Sequence, residues 1–447
     1  VLERIKPSRA EEITLKEVGG QIVEKINSIL KKARIKGIAE IHGSVPHGTW
    51  ITGQMDLDIF VVLDNYRERE QLSEVLDALR EYTDWEFTEA WAEHPYLQTE
   101  IGGYNLDIVP CFRTRIGERI KSATDRSPLH TKWLKRNLNG MGDDVRLLKQ
   151  FLKVIEIYGA EIKVGGFSGY LCELLVIKYG SFMGIIEAAS MWGEKEIIRF
   201  NEETREFKDP LVVYDPVDSL RNVASALREE PYHRFISAAK AFNEKPSERF
   251  FTFDETPVDI DELLERIGDH SIVFVIIEES KAEVPDTLWG QLRRSMGAIE
   301  KQLIIQGFDV IESTVWSNEK TRHIFSLMLT SINRTETDKH FGPPVQLEKD
   351  VKKFLGIYTD NPRVVSGPEI EDGRWFVVLY REHTRVKDTM DKLLIDGGAR
   401  IGVSKGTAVR ILQHHKILTG KSIGPYLNEG FERHLAKFIR GRPFWIE

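Results

Sequence analysis

The stretch GSVPHGTWITGQMDLDIFVVL, Gly43 to Leu63, decides the reading of this chain. Asp56 and Asp58 stand one residue apart at the head of the apolar run MDLDIFVVL. In a strand, residues i and i+2 share a face, so the two carboxylates project together while Leu57 and Ile59 face a core. Burying a carboxylate in an apolar strand is costly unless it is paired or ligated. Two on one face suit Mg²⁺, which binds through one or two carboxylates plus phosphate oxygens. A third acid, Asp107, lies in IGGYNLDIVPCF (101–112), a second strand that Pro110 is expected to close. An antiparallel neighbour would bring Asp107 beside the first pair, and three carboxylates can hold two divalent ions about 4 Å apart. For a lone D-x-D the plain alternative is a pair of strand-end acids facing water. Gly43-Ser44, then D-x-D, then another acid-bearing strand, in that order, is instead the arrangement a nucleotidyl-transfer site requires.

The 447 residues exceed one ordinary core, so two to four domains are expected. Composition is globular, without low-complexity tracts or a heptad period. No run approaches the roughly 20 apolar residues needed to span a membrane. The charged start VLERIKPSRAEE has no apolar signal core, so a soluble, cytoplasmic protein is expected. Two cysteines, Cys111 and Cys172, cannot make a disulfide framework or a four-ligand zinc site and read as buried thiols. A net charge of −8 argues against a generic nucleic-acid binder. Residues 401–447 depart from it, with eight Lys/Arg against three Glu. That patch could meet a polyanion, or could be a solvated helix face.

Periodicity places a helix from Glu17 to about Lys36, stopped by Gly37, with Ile22, Ile26, Ile29, Leu30 and Ala33 inward. IAEIHGS reads as a short strand, Glu70 to Tyr82 as a helix, and WEFTEAWAEHPYLQTEI and YNLDIVPCF as further strands. The result is an α+β head around a mixed sheet, ending near Leu134. DDVRLLKQFLKVIEIYG and SGYLCELLVIKYGSFMGIIEAASMWG then read as helical, and DPVDSLRNVASAL as another helix capped by Asp215. From about Asp254, SIVFVIIEE, FDVIESTVW, HIFSLMLTSI and RWFVVLYREH read as strands, with helices near Trp289–Gln306 and Glu348–Gly356 between them. After His383 the chain reads as a helical, basic tail.

The succession of Gly43-Ser44, DLD, LDIVPC, DRSPLHTKWL, VRLLKQFLKV, IYGAE, GFSGYLCELL and DPVDSLRNVA resembles the archaeal, class I CCA-adding enzymes. These are tRNA nucleotidyltransferases of the polymerase-beta-like superfamily. The likeness is dense over residues 35 to 230 and looser beyond. It implies a multidomain α+β chain: a nucleotidyltransferase head (1–134), a helical neck that recognises nucleotide (135–253), an α+β body with a β-sheet platform for RNA (254–383) and a basic tRNA-binding tail (384–447). It implies that Asp56, Asp58 and Asp107 hold two Mg²⁺ ions, with Asp107 nearest the attacking 3′-hydroxyl. Many relatives have Glu at the first position, so Asp56 shortens the reach by one methylene. Ser44 and the amides around Gly43 would meet the triphosphate, as N–H groups at such a turn can. His47 stands where relatives have Arg, a weaker phosphate holder than a guanidinium fork. His94, Ser127, His130, Lys149, Tyr158 and Arg221 match nucleotide-contacting positions, with Arg221 reading the base edge. Ser168, Tyr170 and Asp218 read as structural supports, and Arg400 to Val409 (RIGVSKGTAV) as a loop for RNA backbone contact.

The implied reaction is attack of a tRNA 3′-hydroxyl on the α-phosphate of CTP or ATP, releasing pyrophosphate and building CCA without a template. The resemblance also implies a homodimer. A polymerase making poly(A) or oligoadenylate shares the same acids and would differ by not using CTP. An idle RNA-binding scaffold would be expected to have lost one of the acids, and all are present.

Overall fold

The computed structural model describes residues 1–64, 70–91, 94–115, 118, 120, 122–202, 205–279 and 283–446. It divides into two compact units, residues 1–255 with 445–447, and residues 256–444.

The first unit opens with α1 (Leu2–Ile5), α2 (Arg9–Lys32), β1 (Gly37–His42), the short α3 (Ser44–His47) and β2 (Asp56–Leu63). It continues through α4 (Glu70–Tyr82), β3 (Thr88–Trp91), β4 (Pro95–Ile101) and β5 (Tyr104–Phe112). Helix α2 begins well before the expected Glu17, because Ser8 and Glu11 form a reciprocal capping box. It ends at Lys32, since Arg34 takes a φ of 60°, and Gly37 opens β1 rather than stopping the helix. The five strands lie in the order β1-β2-β5-β4-β3. The β2–β5 pair is parallel, not antiparallel as expected, with Asp58 opposite Asp107 and Asp56 opposite Asn105. The chain leaves β2 through α4 and comes back as the meander β3-β4-β5, and a connection of that length joins parallel strands.

Nor does Pro110 close β5, which runs on to Phe112. Pairing with β4 stops at Ile108, so Pro110 sits where one side of the strand has no ladder to lose. Leu57, Ile59, Val61 and Leu63 alternate into a core with Ile22, Ile26 and Ile29 of α2 and Leu72, Val75, Leu76 and Leu79 of α4. The opposite face of β2 and β5 carries Phe60, Val62, Val109 and Cys111. The three acids continue that second face, at the ends of the strands where the apolar cover runs out. Residues 92–93, inside the stretch read as strands, lie outside the described residues.

Helices α5 (Ser127–Asn137), α6 (Gly142–Val154), α7 (Gly169–Tyr179) and α8 (Phe182–Ser190) follow, then β6 (Glu196–Ile198), β7 (Leu211–Asp215), β8 (Asp218–Asn222) and α9 (Glu229–Glu244). Residues 203–204, between β6 and β7, are outside the described residues. DPVDSLRNVASAL does not open a helix. Its first half turns from β7 into β8, and the Asp215 carboxylate accepts the Val217 N–H at 3.0 Å to hold the turn. The buried Val212, Val213 and Tyr214 upstream favour the strand. Gly180, at φ 81°, breaks α7 from α8. Among the described residues no single helix is long and apolar enough to cross a membrane. Cys111 and Cys172 are buried, free thiols.

The second unit holds α10 (Ile260–Gly268), β9 (Ser271–Glu278), α11 (Pro285–Ile305), β10 (Val310–Ser317), β11 (Arg322–Leu329), β12 (Thr337–Pro344), α12 (Glu348–Tyr358), β13 (Val364–Glu371) and β14 (Arg374–Tyr380). It ends with α13 (Val386–Lys392), α14 (Lys405–Gln413), β15 (His415–Thr419) and α15 (Phe431–Arg440). One sheet runs β10-β11-β9-β15 and a second β12-β14-β13. Val273, Val275 and Ile277 of β9 face one core and Ile272, Phe274 and Ile276 another, so the strand is apolar throughout. The stretch 400–409 is mostly helical rather than a loop: one helical turn runs Gly398–Ile401 and Lys405 begins α14, with Ser404 capping it. Along α15, Phe431, Leu435 and Phe438 are buried while Arg433, Lys437 and Arg440 recur on the exposed side.

Candidate active site

Parallel register makes Asp58 and Asp107 neighbours across two strands, and Asp56 follows Asp58 on the same face. Burial, and then the charges of Asp107 and Asp56, push the Asp58 carboxyl up to about 6, against the pull of His47 and Lys149. Burial also raises Asp107, outweighing the hydrogen bond from Gln98, with Asp56 adding to the rise. The acids line a cleft of about 690 Å³ shared with Glu86, Thr88, Gln98, Glu100 and Asn105. Gln98 Nε2 donates to Asp107 Oδ1 at 2.9 Å and Asn105 Nδ2 to Asp56 Oδ1 at 3.1 Å. Neither amide was singled out by the sequence. Among the described residues no three acid, histidine or cysteine side chains already converge as ligands for one ion. The donor chemistry nevertheless fits a divalent cation: hard carboxylate oxygens gathered on one face.

Gly43 caps α3 with φ 72° and ψ −152°, and its Cα packs directly against the Asp58 carboxylate. Ser44 therefore begins α3 next to the acids. His47, at the other end of α3, does not present its ring to solvent. Its Nδ1 lies 3.0 Å from Glu173 Oε1 and its Nε2 3.1 Å from Thr131 Oγ1, which in turn lies 2.8 Å from His42 Nδ1. Thr49 Oγ1 donates to the same Glu173 oxygen at 2.6 Å. Lys149 is buried too, on the inner side of α6, and its Nζ donates to Thr49 O at 3.1 Å and Thr49 Oγ1 at 3.3 Å. Burial would raise Glu173, but the His47 hydrogen bond and charge, with Lys149 and Thr49, hold it below the usual range. This buried network of Glu173, Thr49, Thr131 and His42 escaped the sequence reading, because nothing in spacing reveals partners more than eighty residues apart.

Tyr158 joins Lys149 through a glycine. A Cβ at Gly169 would stand 3.2 Å from Tyr158 Oη and 3.6 Å from Lys149 Nζ. Burial is the main cause of the raised Tyr158 hydroxyl, and the Asp56 charge contributes to it.

His130 and Arg221 meet elsewhere, on Asp215. His130 Nε2 and Arg221 Nη1 approach Asp215 Oδ2 at 2.9 and 2.8 Å, and Tyr170 OH donates to Oδ1 at 3.3 Å. Burial would raise Asp215, but His130, the Val217 N–H and Arg221 together hold it at about 2. Asp218 instead takes Arg126, at 2.7 Å, and Ser168 caps α7. Ser127 begins α5. Since His130 adjoins Thr131 on α5, one dipeptide touches both clusters.

His94 is not brought to the acids. Its Nε2 contacts Thr124 Oγ1 at 2.7 Å, and it precedes the start of β4. Continuing the Leu97–Ile108 register places it some four residues along β5 from Asp107, roughly 13 Å at the strand rise.

Comparison with known proteins completes the picture. Three family profiles match in succession: "Nucleotidyltransferase domain" over residues 23–130, "tRNA nucleotidyltransferase, second domain" over 143–252 and "CCA-adding enzyme, C-terminal domain" over 270–431. The chain is similar to the CCA-adding enzyme of Methanosarcina mazei, 36% identical over 405 residues, 89% of this chain and 88% of that one. It is likewise similar to that of Pyrobaculum neutrophilum, 36% identical over 92% of this chain and 94% of the relative. The enzyme of Saccharolobus shibatae is 35% identical over the whole of this chain and 99% of its own length.

Proposed function

The chain belongs to the CCA-adding enzymes, tRNA nucleotidyltransferases, and we propose that its two side-chain clusters divide the work of nucleotide addition between phosphate chemistry and nucleotide recognition. The observation that carries this reading is the in-register triad of Asp56, Asp58 and Asp107 on one face of a parallel strand pair. These carboxylates would hold two Mg²⁺ ions, which when bound supply Lewis acidity toward the RNA 3′-hydroxyl and the departing pyrophosphate. Asp107 lies toward the hydroxyl in this reading, and Ser44 with the α3 amides receives the triphosphate. Lys149 and Tyr158, adjoining at Gly169, contact phosphate and sugar. No side chain needs to act as a nucleophile; positioning and charge neutralisation provide the acceleration.

His130 and Arg221 face the nucleotide, with Arg221 selecting the base of CTP or ATP and Ser127 beside them. His94 belongs to the same proposal as a residue near the triphosphate, with its Nε2 resting on Thr124 Oγ1. His47, with both ring nitrogens engaged internally, serves as a strut beneath α3 rather than as a phosphate ligand. The tRNA acceptor stem meets the body and tail, where the exposed Arg433, Lys437 and Arg440 suit shape and phosphate contacts. The division into 1–134, 135–253, 254–383 and 384–447, a homodimer and a cytoplasmic location belong to the same proposal.

The test is incubation with Mg²⁺ and a tRNA transcript lacking its last three nucleotides, with CTP, ATP or both, beside an Asp58→Ala control. Two additions with CTP and a third only when ATP joins are expected, with none in the control. A long adenylate ladder without CTP use would move the assignment to a poly(A)-type polymerase.

A further inference from the structure

Asp215 ends β7 with a fully buried side chain, and each carboxylate oxygen takes two donors. Oδ2 meets His130 Nε2 and Arg221 Nη1; Oδ1 accepts from Val217 N and Tyr170 OH. A carboxylate offers about four lone-pair sites, so no capacity remains for a substrate. Its consequence lies in where it places a proton. An ionised carboxylate only accepts, so the His130 nitrogen facing it must be N–H. Burial, outweighing the Asp215 contact, lowers His130 and keeps the ring neutral near pH 7. The single ring proton is thus on Nε2, and Nδ1 is a bare lone pair with no protein partner among the described residues. The ring stacks on Tyr170, centroids 4.0 Å apart at 24°, and its side chain keeps 13% exposure.

We propose that Asp215 is a positioning residue that locks His130 as the Nε2–H tautomer, so that His130 Nδ1 accepts a hydrogen bond from a donor on the incoming nucleotide while Arg221 is aligned beside it. This rests on the placement of His130 and Arg221 at the nucleotide proposed above. CTP and ATP share two kinds of donor, the sugar hydroxyls and an exocyclic amine. UTP and GTP carry a carbonyl oxygen where that amine stands. Locking a histidine tautomer through a buried carboxylate is established chemistry at other active sites and matters there for rate.

The first test needs no substrate. The full chain, labelled with ¹⁵N-histidine, is examined by NMR near neutral pH, and the His130 signals are identified by their loss in His130→Gln. A protonated Nε2 with a bare Nδ1 is expected; an Nδ1–H or doubly protonated ring overturns the proposal. The second test compares unmutated and Asp215→Asn protein on CTP, on 2′-deoxy-CTP and on the triphosphate of the pyrimidin-2-one nucleoside, which lacks the amine. An amide at 215 can donate or accept and so releases the lock. KM for CTP should rise on the order of 3–10-fold, the worth of one neutral hydrogen bond, while kcat changes less. The substitution should cost less on the analogue lacking the group that Nδ1 meets than on CTP, which identifies that group, the remaining penalty reporting the alignment of Arg221. An equal penalty on all three substrates would make Asp215 merely structural and overturn the proposal. Unmutated protein unable to use CTP would instead sink the reading of the site, while the tautomer is still read independently.

Discussion

The Asp58 carboxylate occupies the space in which a side chain at Gly43 would stand. Gly43 also holds φ 72° and ψ −152°, a region essentially confined to glycine. Two independent constraints thus fall on one position, tying the proposed phosphate turn to an acid of the proposed metal site. Gly43→Ala is expected to cost about 1–3 kcal/mol in backbone strain and to displace Asp58. Displacement of about 1 Å at a reacting centre lowers turnover roughly a hundredfold. Urea unfolding and single-turnover CTP addition would read both effects. Full activity in this variant would mean that the Asp58 position is not fixed by the turn.

Burial, and then repulsion from Asp107 and Asp56, lifts the Asp58 carboxyl to about 6 when no metal is bound. Asp58→Asn is therefore expected to stabilise the metal-free protein, by on the order of 1–3 kcal/mol, while abolishing nucleotide addition. Added Mg²⁺ should raise the melting temperature of the unmutated protein and leave the variant nearly unchanged. A variant less stable than its parent in EDTA would contradict this account.

Glu173 is the shared acceptor for His47 and Thr49, and the charge of buried Lys149 helps to hold it ionised. Glu173→Leu strands a buried cation, and such losses cost about 3–5 kcal/mol. Adding Lys149→Met should recover part of that stability but not activity. Additive losses in a chemical-denaturation double-mutant cycle would show the two residues to be uncoupled.

Asp215 makes acid stability testable. Its carboxyl is held at about 2 in the folded chain, against an ordinary value of 3.8. Its folded value being depressed, its contribution is present above the ordinary value and fades as pH falls through about 2. A depression of that size is worth roughly 2 kcal/mol at neutral pH. Between pH 5 and 2 the stability of Asp215→Asn should fall less steeply than that of the parent. Parallel curves would remove Asp215 from this role.

That the three acids come together was legible from the i, i+2 spacing of Asp56 and Asp58 and from a second acid-bearing strand downstream. Helix α4 was legible from its period and strand β9 from a continuous apolar run of strand length. Strand direction was not: Asp107 reaches Asp58 under either orientation, and only the α4 crossover decides it. The hairpin at Asp215 was misread because Asp-Pro also opens helices, and nothing local announces that the aspartate is already committed to His130 and Arg221. Strands β12, β13 and β15 were passed over. They carry Lys339, Glu369, Glu371 and Lys416 among their apolar residues, so their pattern is blurred by charge at exposed positions. His94 and His47 matched by position in a motif, and motif position says nothing of which atoms a ring has already engaged.

The parallel pairing of β2 with β5 also orders events in time. Asp56 and Asn105, partners in that ladder, are 49 residues apart in the chain. Contacts of such separation must close a long loop before any pairing rewards it. During synthesis β2 can pair with β1, already made, but its other edge waits for Tyr104–Phe112 to emerge. The acid-bearing face therefore comes into being at one late closure, and a nascent chain that ends before β5 holds two of the acids on an open strand edge.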